Sequence, residues 1–400
     1  MRHPISAAAL VVLFACTGSP PSMGTGGGSG TAGGGTSATA GGGSTTAGGT
    51  GSTAGGGTTA TAGGGSSTAG GSSATAGGGT TATAGGTATA GGGATAGGSG
   101  TGGGTQNIVR FVAIGDTGEG NQGQRDVGAA IAAWCANALH PCDFVLMMGD
   151  NIYDEGVSGV MDGQWLTKFE EPYMNVNLPF WAVLGNHDYG AMGSGTDMAR
   201  GANEVAYANA PGQTKFKMPA KHYHFTAGHA EFFATDTNEV FMRGMPSGLQ
   251  FGFDDAVQRT NMRGWIAAST ATWKISMGHH PYRSNGPHGN AGTYEGIPTL
   301  GARVKDFFDD ELCGKIDVSF SGHDHSNQWI TSQCQATELI VTGAGAKATT
   351  LKQSGSLGFN ANHYQTTQIG FMYVTLIDRT FTGTFVSSNG TQLYTRSFTK

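Results

Sequence analysis

The chain has 400 residues, 72 of them Gly, and its 27 acidic against 21 basic side chains leave a net charge of −6. That balance lacks the basic surplus with which a sequence-independent nucleic-acid binder neutralises phosphates, so no nucleic-acid partner is expected. No apolar run approaches the roughly 20 residues that cross a bilayer as a helix, so no membrane-spanning helix is expected either. Arg2 is the only charged residue before Gln106, and every Trp and Tyr lies beyond it.

Residues 1–16 read as an export signal: Arg2 and His3 precede an apolar stretch from Ile5 to Ala15, and Leu13-Phe14-Ala15-Cys16 resembles a bacterial lipobox. Lipidation of Cys16 would supply several acyl chains, enough for stable anchoring, whereas an ordinary signal peptide would leave the protein secreted or periplasmic. Residues 17–105 are almost entirely Gly, Ala, Thr and Ser, with imperfect returns of Thr-Ala-Gly-Gly. Such a segment cannot bury enough apolar surface to offset its ordering entropy, so a disordered tether with a reach on the order of 50 Å is expected. Anchored this way, the protein would sit at a bacterial outer membrane or cell surface and touch the membrane through its lipid alone. Residues 106–400 are left as the folded domain, with an oligomeric state on which the sequence is silent.

Within that domain Ile108–Ile114 is a β-rich apolar run that stops at Gly115-Asp116-Thr117-Gly118, and a helical pattern follows over 122–139. Residues 143–148 form a second apolar strand, ending in Gly149-Asp150-Asn151-Ile152-Tyr153. The run 180–184 ends in Gly185-Asn186-His187-Asp188, Trp273–Met277 in Gly278-His279-His280-Pro281, and 317–320 leads to Gly322-His323-Asp324-His325. C-terminal runs at Glu338–Thr342, 371–377 and 380–386 are expected to complete a second sheet, the last two as a hairpin. Four cysteines besides Cys16 suggest two disulfides in an exported chain. Of three possible connectivities, Cys135 with Cys142 and Cys313 with Cys334 are expected, because each pair brackets a turn.

One Gly-Asp after a strand is an ordinary turn. Five such tips together place Asp116, Asp150, Asn186, His187, His279, His323 and His325 on one rim, with no Lys or Arg at the same tips. The carboxyl ends of strands are where open α/β sheets bind ligands. Carboxylates and neutral imidazoles gathered there are stable mainly around cations, and mixed O and N donors suit Fe, Zn or Mn better than Ca.

The order and spacing of these tips resemble the calcineurin-like metallophosphoesterases, and specifically purple acid phosphatases of the short, mammalian tartrate-resistant type. The Tyr three residues after Asp150 is the most specific match; Lys221-His222-Tyr223-His224-Phe225 followed by Phe232 to Thr237 fits the family's central hairpin. The resemblance implies an α/β fold: a two-sheet sandwich flanked by helices, with two metals at the strand ends. A ferric ion would be held by Asp116, Asp150, Tyr153 and His325. A divalent Fe, Zn or Mn would share Asp150 and take Asn186, His279 and His323. His187 would contact the phosphate of a small phosphate ester, and His288 or His187 would protonate the leaving group. The implied reaction is attack of a metal-bound hydroxide on a phosphate monoester at acidic pH. Loops 203–219 and 286–296 are expected to border the substrate. His280 is expected behind the ligands or at the surface, His222, His224, His229 and His363 at the hairpin or surface, and His140 in a turn. Two other readings are a metallophosphodiesterase or nucleotidase on the same core, and a tethered binding module whose metal is structural.

Overall fold

The computed structural model describes residues 106–244, 251–331 and 333–400. The export signal, Cys16 and the tether over 17–105 lie outside the described residues.

Among the described residues the strands form two seven-stranded sheets. The first runs in the order β14-β13-β12-β1-β2-β3-β4, with β1 at Ile108–Ile114, β2 at Phe144–Met147, β3 at Phe180–Ala182, β4 at Phe216–Lys217, β12 at Gly370–Ile377, β13 at Thr380–Ser387 and β14 at Gln392–Thr399. The second runs β11-β9-β10-β8-β7-β6-β5, with β5 at Tyr223–Ala227, β6 at Ala230–Ala234, β7 at Trp273–Met277, β8 at Val318–Ser321, β9 at Asn327–Ile330, β10 at Glu338–Thr342 and β11 at Asn362–Thr366. Helices α1 (Gln122–Ala136), α2 (Met198–Ala208), α3 (Thr237–Met242), α4 (Ala256–Ala268) and α5 (Ala302–Phe307) connect them. The α/β two-sheet sandwich is therefore the observed fold.

Aromatic side chains join the two sheets. Phe111 of β1 stacks on Phe144 of β2 at 5.4 Å between ring centres, and meets Phe232 of β6 edge-on at 5.3 Å and Phe320 of β8 at 5.9 Å. All four rings are buried, and each contributes about 1.5–3 kcal/mol of hydrophobic stabilisation. Strands β1 to β4 run parallel, as do β6, β7, β8 and β10. Parallel pairing sends their carboxyl ends to one edge of each sheet, which is what gathers the polar tips. The hairpin expected at Tyr223 and Phe232 is β5–β6, paired from Tyr223↔Ala234 to Ala227↔Ala230.

Three expectations are corrected. Runs 371–377 and 380–386 do form a hairpin, but it belongs to the first sheet: β12 lies antiparallel against β1, from Ile108↔Ile377 to Ala113↔Met372. The reason is that β1 is buried along most of its length and needs both backbone edges paired; β2 supplies one and β12 the other. The helix expected over 122–139 ends at Ala136, where extended Asn137 accepts the Leu139 N–H on its side chain and opens a turn. The loop expected over 203–219 is instead half of α2, followed by a turn and β4.

Both local cysteine pairs are bonded, Cys135 with Cys142 and Cys313 with Cys334. The first ties the end of α1 to the approach to β2. The second ties the segment before β8 to the one after β9, bracketing the tip that carries His323 and His325.

Candidate metal centre

Three of the five tips are held by backbone geometry that few residues tolerate. Asp116, Asp150 and His323 adopt left-handed φ of 56°, 51° and 68°. Such conformations cost of order 1 kcal/mol or more per residue and persist where the surroundings over-determine them. Gly149, at φ 82°, is the enabling residue, since a Cβ there would stand 2.8 Å from His279 Nδ1 and 2.7 Å from the Gly185 nitrogen. Gly322 plays the same part opposite Asp116, whose Oδ2 lies 2.4 Å from where a Cβ would be.

Two groups of donors result. In the first, the Tyr153 hydroxyl donates to Asp116 Oδ1 at 3.0 Å and lies 3.1 Å from His325 Nε2, which is itself 3.6 Å from Asp116 Oδ1. In the second, Asn186 Oδ1 lies 2.8 Å from His279 Nε2 and 3.0 Å from His323 Nδ1, and those two ring nitrogens are 3.1 Å apart. Asp150 stands between the groups: its Oδ2 is 3.5 Å from His279 Nε2, and Asp116, Asp150 and His279 each offer a ligand atom within 4.8 Å of the others. The sequence-expected Asp116, Asp150, Tyr153, Asn186, His279, His323 and His325 are thus brought into one continuous cluster, buried except for Asn186 and His323, which are half-buried at the pocket.

The cluster has the chemistry of a cation site. His279 Nδ1–H donates to the Met148 carbonyl at 2.8 Å, which fixes the tautomer and turns the Nε2 lone pair toward Asn186. Asn186 Nδ2 donates to the Gly193 carbonyl at 2.8 Å, so its oxygen must be the atom facing His279. Lone pair therefore meets lone pair, an arrangement that a metal resolves and a hydrogen bond does not. Burial lowers the pKa of His279, and burial with neighbouring imidazoles takes His323 well below the usual range. His325 is also held well below it, by burial first and then by the Lys347 ammonium. Each shift favours the neutral imidazole that a metal ligand must be. Burial and then the adjacent Asp150 push Asp116 well above the carboxylate range. Two carboxyls this close and this dry await a positive charge.

Around the cluster, His187 Nδ1–H donates to the Asp154 carbonyl at 2.7 Å and its ring lies 4.5 Å from that of Tyr153. His288 reaches the same region from the loop after β7: its ring centre is 4.2 Å from that of His323, and its Nδ1 is paired with Glu295. His280 is buried, bonded to Thr237 Oγ1 at 3.0 Å and stacked on Phe241, so it lies behind the ligand tip and not at the surface. His222, His224 and His229 bond Asn261, Glu231 and the Asp378 carbonyl on or beside the β5–β6 hairpin. His140 stacks on Trp134, and His363 sits edge-on to Trp329; neither is part of the cluster.

Sequence reasoning overlooked several supporting groups. Asp188 accepts the Gly185 N–H at 2.8 Å and the Ile152 N–H at 3.0 Å, clamping the β2 and β3 tips together. Glu204 of α2 shares Asn151 with it, taking one amide hydrogen at 3.0 Å. Asp324 accepts the His288 N–H at 2.9 Å and the Gly289 N–H at 3.2 Å, fixing the loop that carries His288. Lys347 lies 3.7 Å over the Tyr153 ring and pairs with Glu119. Asp188 and Asp324 were visible as carboxylates inside the tip motifs; Glu204 and Lys347 carried no local signal. The expected border loop 286–296 does line the pocket beside the cluster, whereas none of 203–219 does; Met192, Gly193 and Ser194 take that place.

A family model for calcineurin-like phosphoesterases matches residues 109–327. Purple acid phosphatase 7 of Arabidopsis thaliana is 29% identical over 219 residues, covering 52% of this chain and 61% of its own length, so the match spans a little under two thirds of that relative. Human tartrate-resistant acid phosphatase type 5 is 25% identical over 319 residues, covering 72% of this chain and 89% of its own. Among solved structures, GAP50, the anchor in the inner membrane complex of Plasmodium, superposes with a TM-score of 0.58 at 22% identity, over 73% of this chain and 89% of that one. Purple acid phosphatase PPD1 from yellow lupin (Lupinus luteus) seeds gives 0.53 at 16% identity, over 73% and 54%. At these identities the two structural likenesses establish the fold alone.

Proposed function

Because the chain belongs to the calcineurin-like phosphoesterase family and is related to purple acid phosphatases, we propose that it is an exported acid phosphatase hydrolysing small phosphate monoesters at a binuclear centre. The observation that carries this is the pair of donor groups on either side of Asp150, one of them containing the Tyr153 hydroxyl. Asp116, Tyr153 and His325 with Asp150 would hold a ferric ion. Asn186, His279 and His323 with the same Asp150 would hold divalent Fe, Zn or Mn. When bound, such a pair neutralises charge on the phosphoryl group and makes water a usable nucleophile below neutral pH.

The chain's own residues supply the rest. His187, oriented by the Asp154 carbonyl, binds a phosphoryl oxygen and stabilises the charge that develops there. His288, held by Glu295 through the ring and by Asp324 through the backbone, carries the proton to the departing oxygen. Tyr153 and the two carboxylates exclude bulk water from the cluster floor, which strengthens each of these interactions. Both disulfides fit an oxidising compartment outside the cytosol.

Turnover of phenyl phosphate and diphenyl phosphate by the full chain, loaded with iron and zinc, tests the substrate class. The monoester should be strongly preferred, with activity rising below pH 7. Equal or greater turnover of the diester would support the phosphodiesterase reading. Inertness toward both in the metal-loaded protein would leave a binding module with a structural metal.

A further inference from the structure

The pocket that opens beside the Asn186, His279 and His323 group is walled by Phe241, His280, Tyr294, Leu300 and Met192, with Glu295 at its edge. Tyr294 donates its hydroxyl to the Pro281 carbonyl, so its polar end is already engaged by the backbone and its ring is what it offers to the pocket. Phe241 stacks on His280 at 5.0 Å between ring centres and 8° between planes, giving a second flat wall. Among the described residues lining this space there is no Lys or Arg. Among the described residues lining it, its one carboxylate is Glu295, which is held firmly. Its N–H donates to the His288 carbonyl at 2.9 Å, its carboxylate pairs with His288 Nδ1, and its own backbone sits at φ 56°. A non-Gly residue kept in that conformation at a pocket edge is a reason to ask what its side chain does there.

We propose that this pocket receives the leaving group, and that Glu295 selects phosphate monoesters with uncharged, flat, apolar leaving groups over esters whose leaving group carries a second anion. The inference rests on the phosphomonoesterase reading and narrows it to a substrate class. The apolar part of the wall, made by Phe241, the Tyr294 ring, Leu300 and Met192, desolvates an aryl group at little cost. A second phosphate or a carboxylate placed against those walls finds no Lys or Arg and faces the Glu295 carboxylate. Unfavourable pairing of this kind is a means of specificity as effective as added attraction. The sign does not depend on the charge of His288: a protonated His288 with Glu295 is neutral where the imidazolium alone would attract an anion, and a neutral His288 leaves the carboxylate's repulsion bare. Glu295 is thereby a specificity residue as well as the positioning residue of His288.

The test uses two esters of the same shape, 4-methylphenyl phosphate and 4-carboxyphenyl phosphate, with the full metal-loaded chain and two variants. The unsubstituted protein should favour the methyl ester in kcat/KM by about tenfold, the size of effect expected from one like-charge contact at a partly exposed site. Glu295→Gln keeps the length and a polar contact to His288 but removes the charge, and should bring the ratio to within about twofold, whatever its effect on overall rate. Glu295→Asp keeps the charge and should retain most of the preference even where the shorter reach slows turnover. An unchanged ratio in Glu295→Gln, or no preference in the unsubstituted protein, overturns the assignment. If that protein hydrolyses neither ester, the phosphatase reading itself fails and takes this one with it; hydrolysis of both at equal efficiency refutes the selection alone.

Discussion

At the scale of single residues, the site is a set of side chains whose partners are chosen by their neighbours. His279 is turned by the Met148 carbonyl, Asn186 by the Gly193 carbonyl, and His288 by Glu295 and Asp324. The proposed acid role of His288 follows from its position beside His323, and it predicts a specific pattern of loss. A basic leaving oxygen needs its proton in the transition state and a nitrophenolate does not, so His288→Ala should slow glycerol phosphate by about 10²-fold or more while costing far less with p-nitrophenyl phosphate. Steady-state kinetics on both esters, with metal content measured alongside, checks this. Equal losses would transfer the acid role to His187. The ligand-type residues were legible in the sequence because a Gly beside an Asp, Asn or His at the end of an apolar run has few purely structural explanations when it recurs. Glu295 and Glu204 were not legible, since an isolated acid in a polar stretch reads as a solvated surface group until the chain brings it home.

Elements explain why the tips hold still. Helix α2 carries Glu204 inward to Asn151, and Asp188 of the β3 tip shares the same amide while binding the Gly185 and Ile152 N–H groups. Burial, then Asp150, raises the pKa of Asp188 to about 7; burial, then Asp188, raises that of Glu204 well above the usual range. Asp188 accepts two backbone N–H groups and Glu204 only the Asn151 amide, so Glu204 is the partner that holds a proton between them. A carboxyl with a raised folded pKa binds more protons folded than unfolded, so its stabilisation is complete below pH 4.5 and is lost as pH rises toward its folded value. For one proton the slope approaches about 1.4 kcal/mol per pH unit. Urea unfolding of the metal-free protein between pH 5 and 8 should show this decline, and Glu204→Gln, which mimics the protonated acid, should flatten it. Parallel slopes in the two proteins would place the titration elsewhere. Composition hid α2: Gly201 and Asn203 are poor helix formers, yet Gly201 is required where the Tyr189 ring leaves 2.7 Å to a would-be Cβ. The sheet partition was hidden for a different reason, since β12 finds β1 across more than half the chain and no local pattern records a partner so distant.

For the whole molecule, two sheets joined through Phe111, Phe144, Phe232 and Phe320 set the strand ends against each other, and the candidate metal centre is the seam between them. His279 Nδ1 to the Met148 carbonyl, and His323 N–H to Asp116, are bonds from one sheet to the other. The export signal and tether expected from the sequence over 1–105 extend the proposal outward: if Cys16 is lipidated, Cys16→Ala should release active enzyme from the membrane fraction. Equal membrane association of both forms would refute that anchor.

The central claim is that Asp150 joins two metals, one of them ferric and bound to the Tyr153 phenolate. Metal analysis of the purified full chain, read together with its visible spectrum, tests it most directly. The account predicts two metals per chain, at least one of them iron, with a charge-transfer band that colours the protein pink or purple and disappears in Tyr153→Phe while the fold survives. A colourless protein holding a single metal after loading with iron and zinc, or a coloured one whose band is unchanged by Tyr153→Phe, would contradict it.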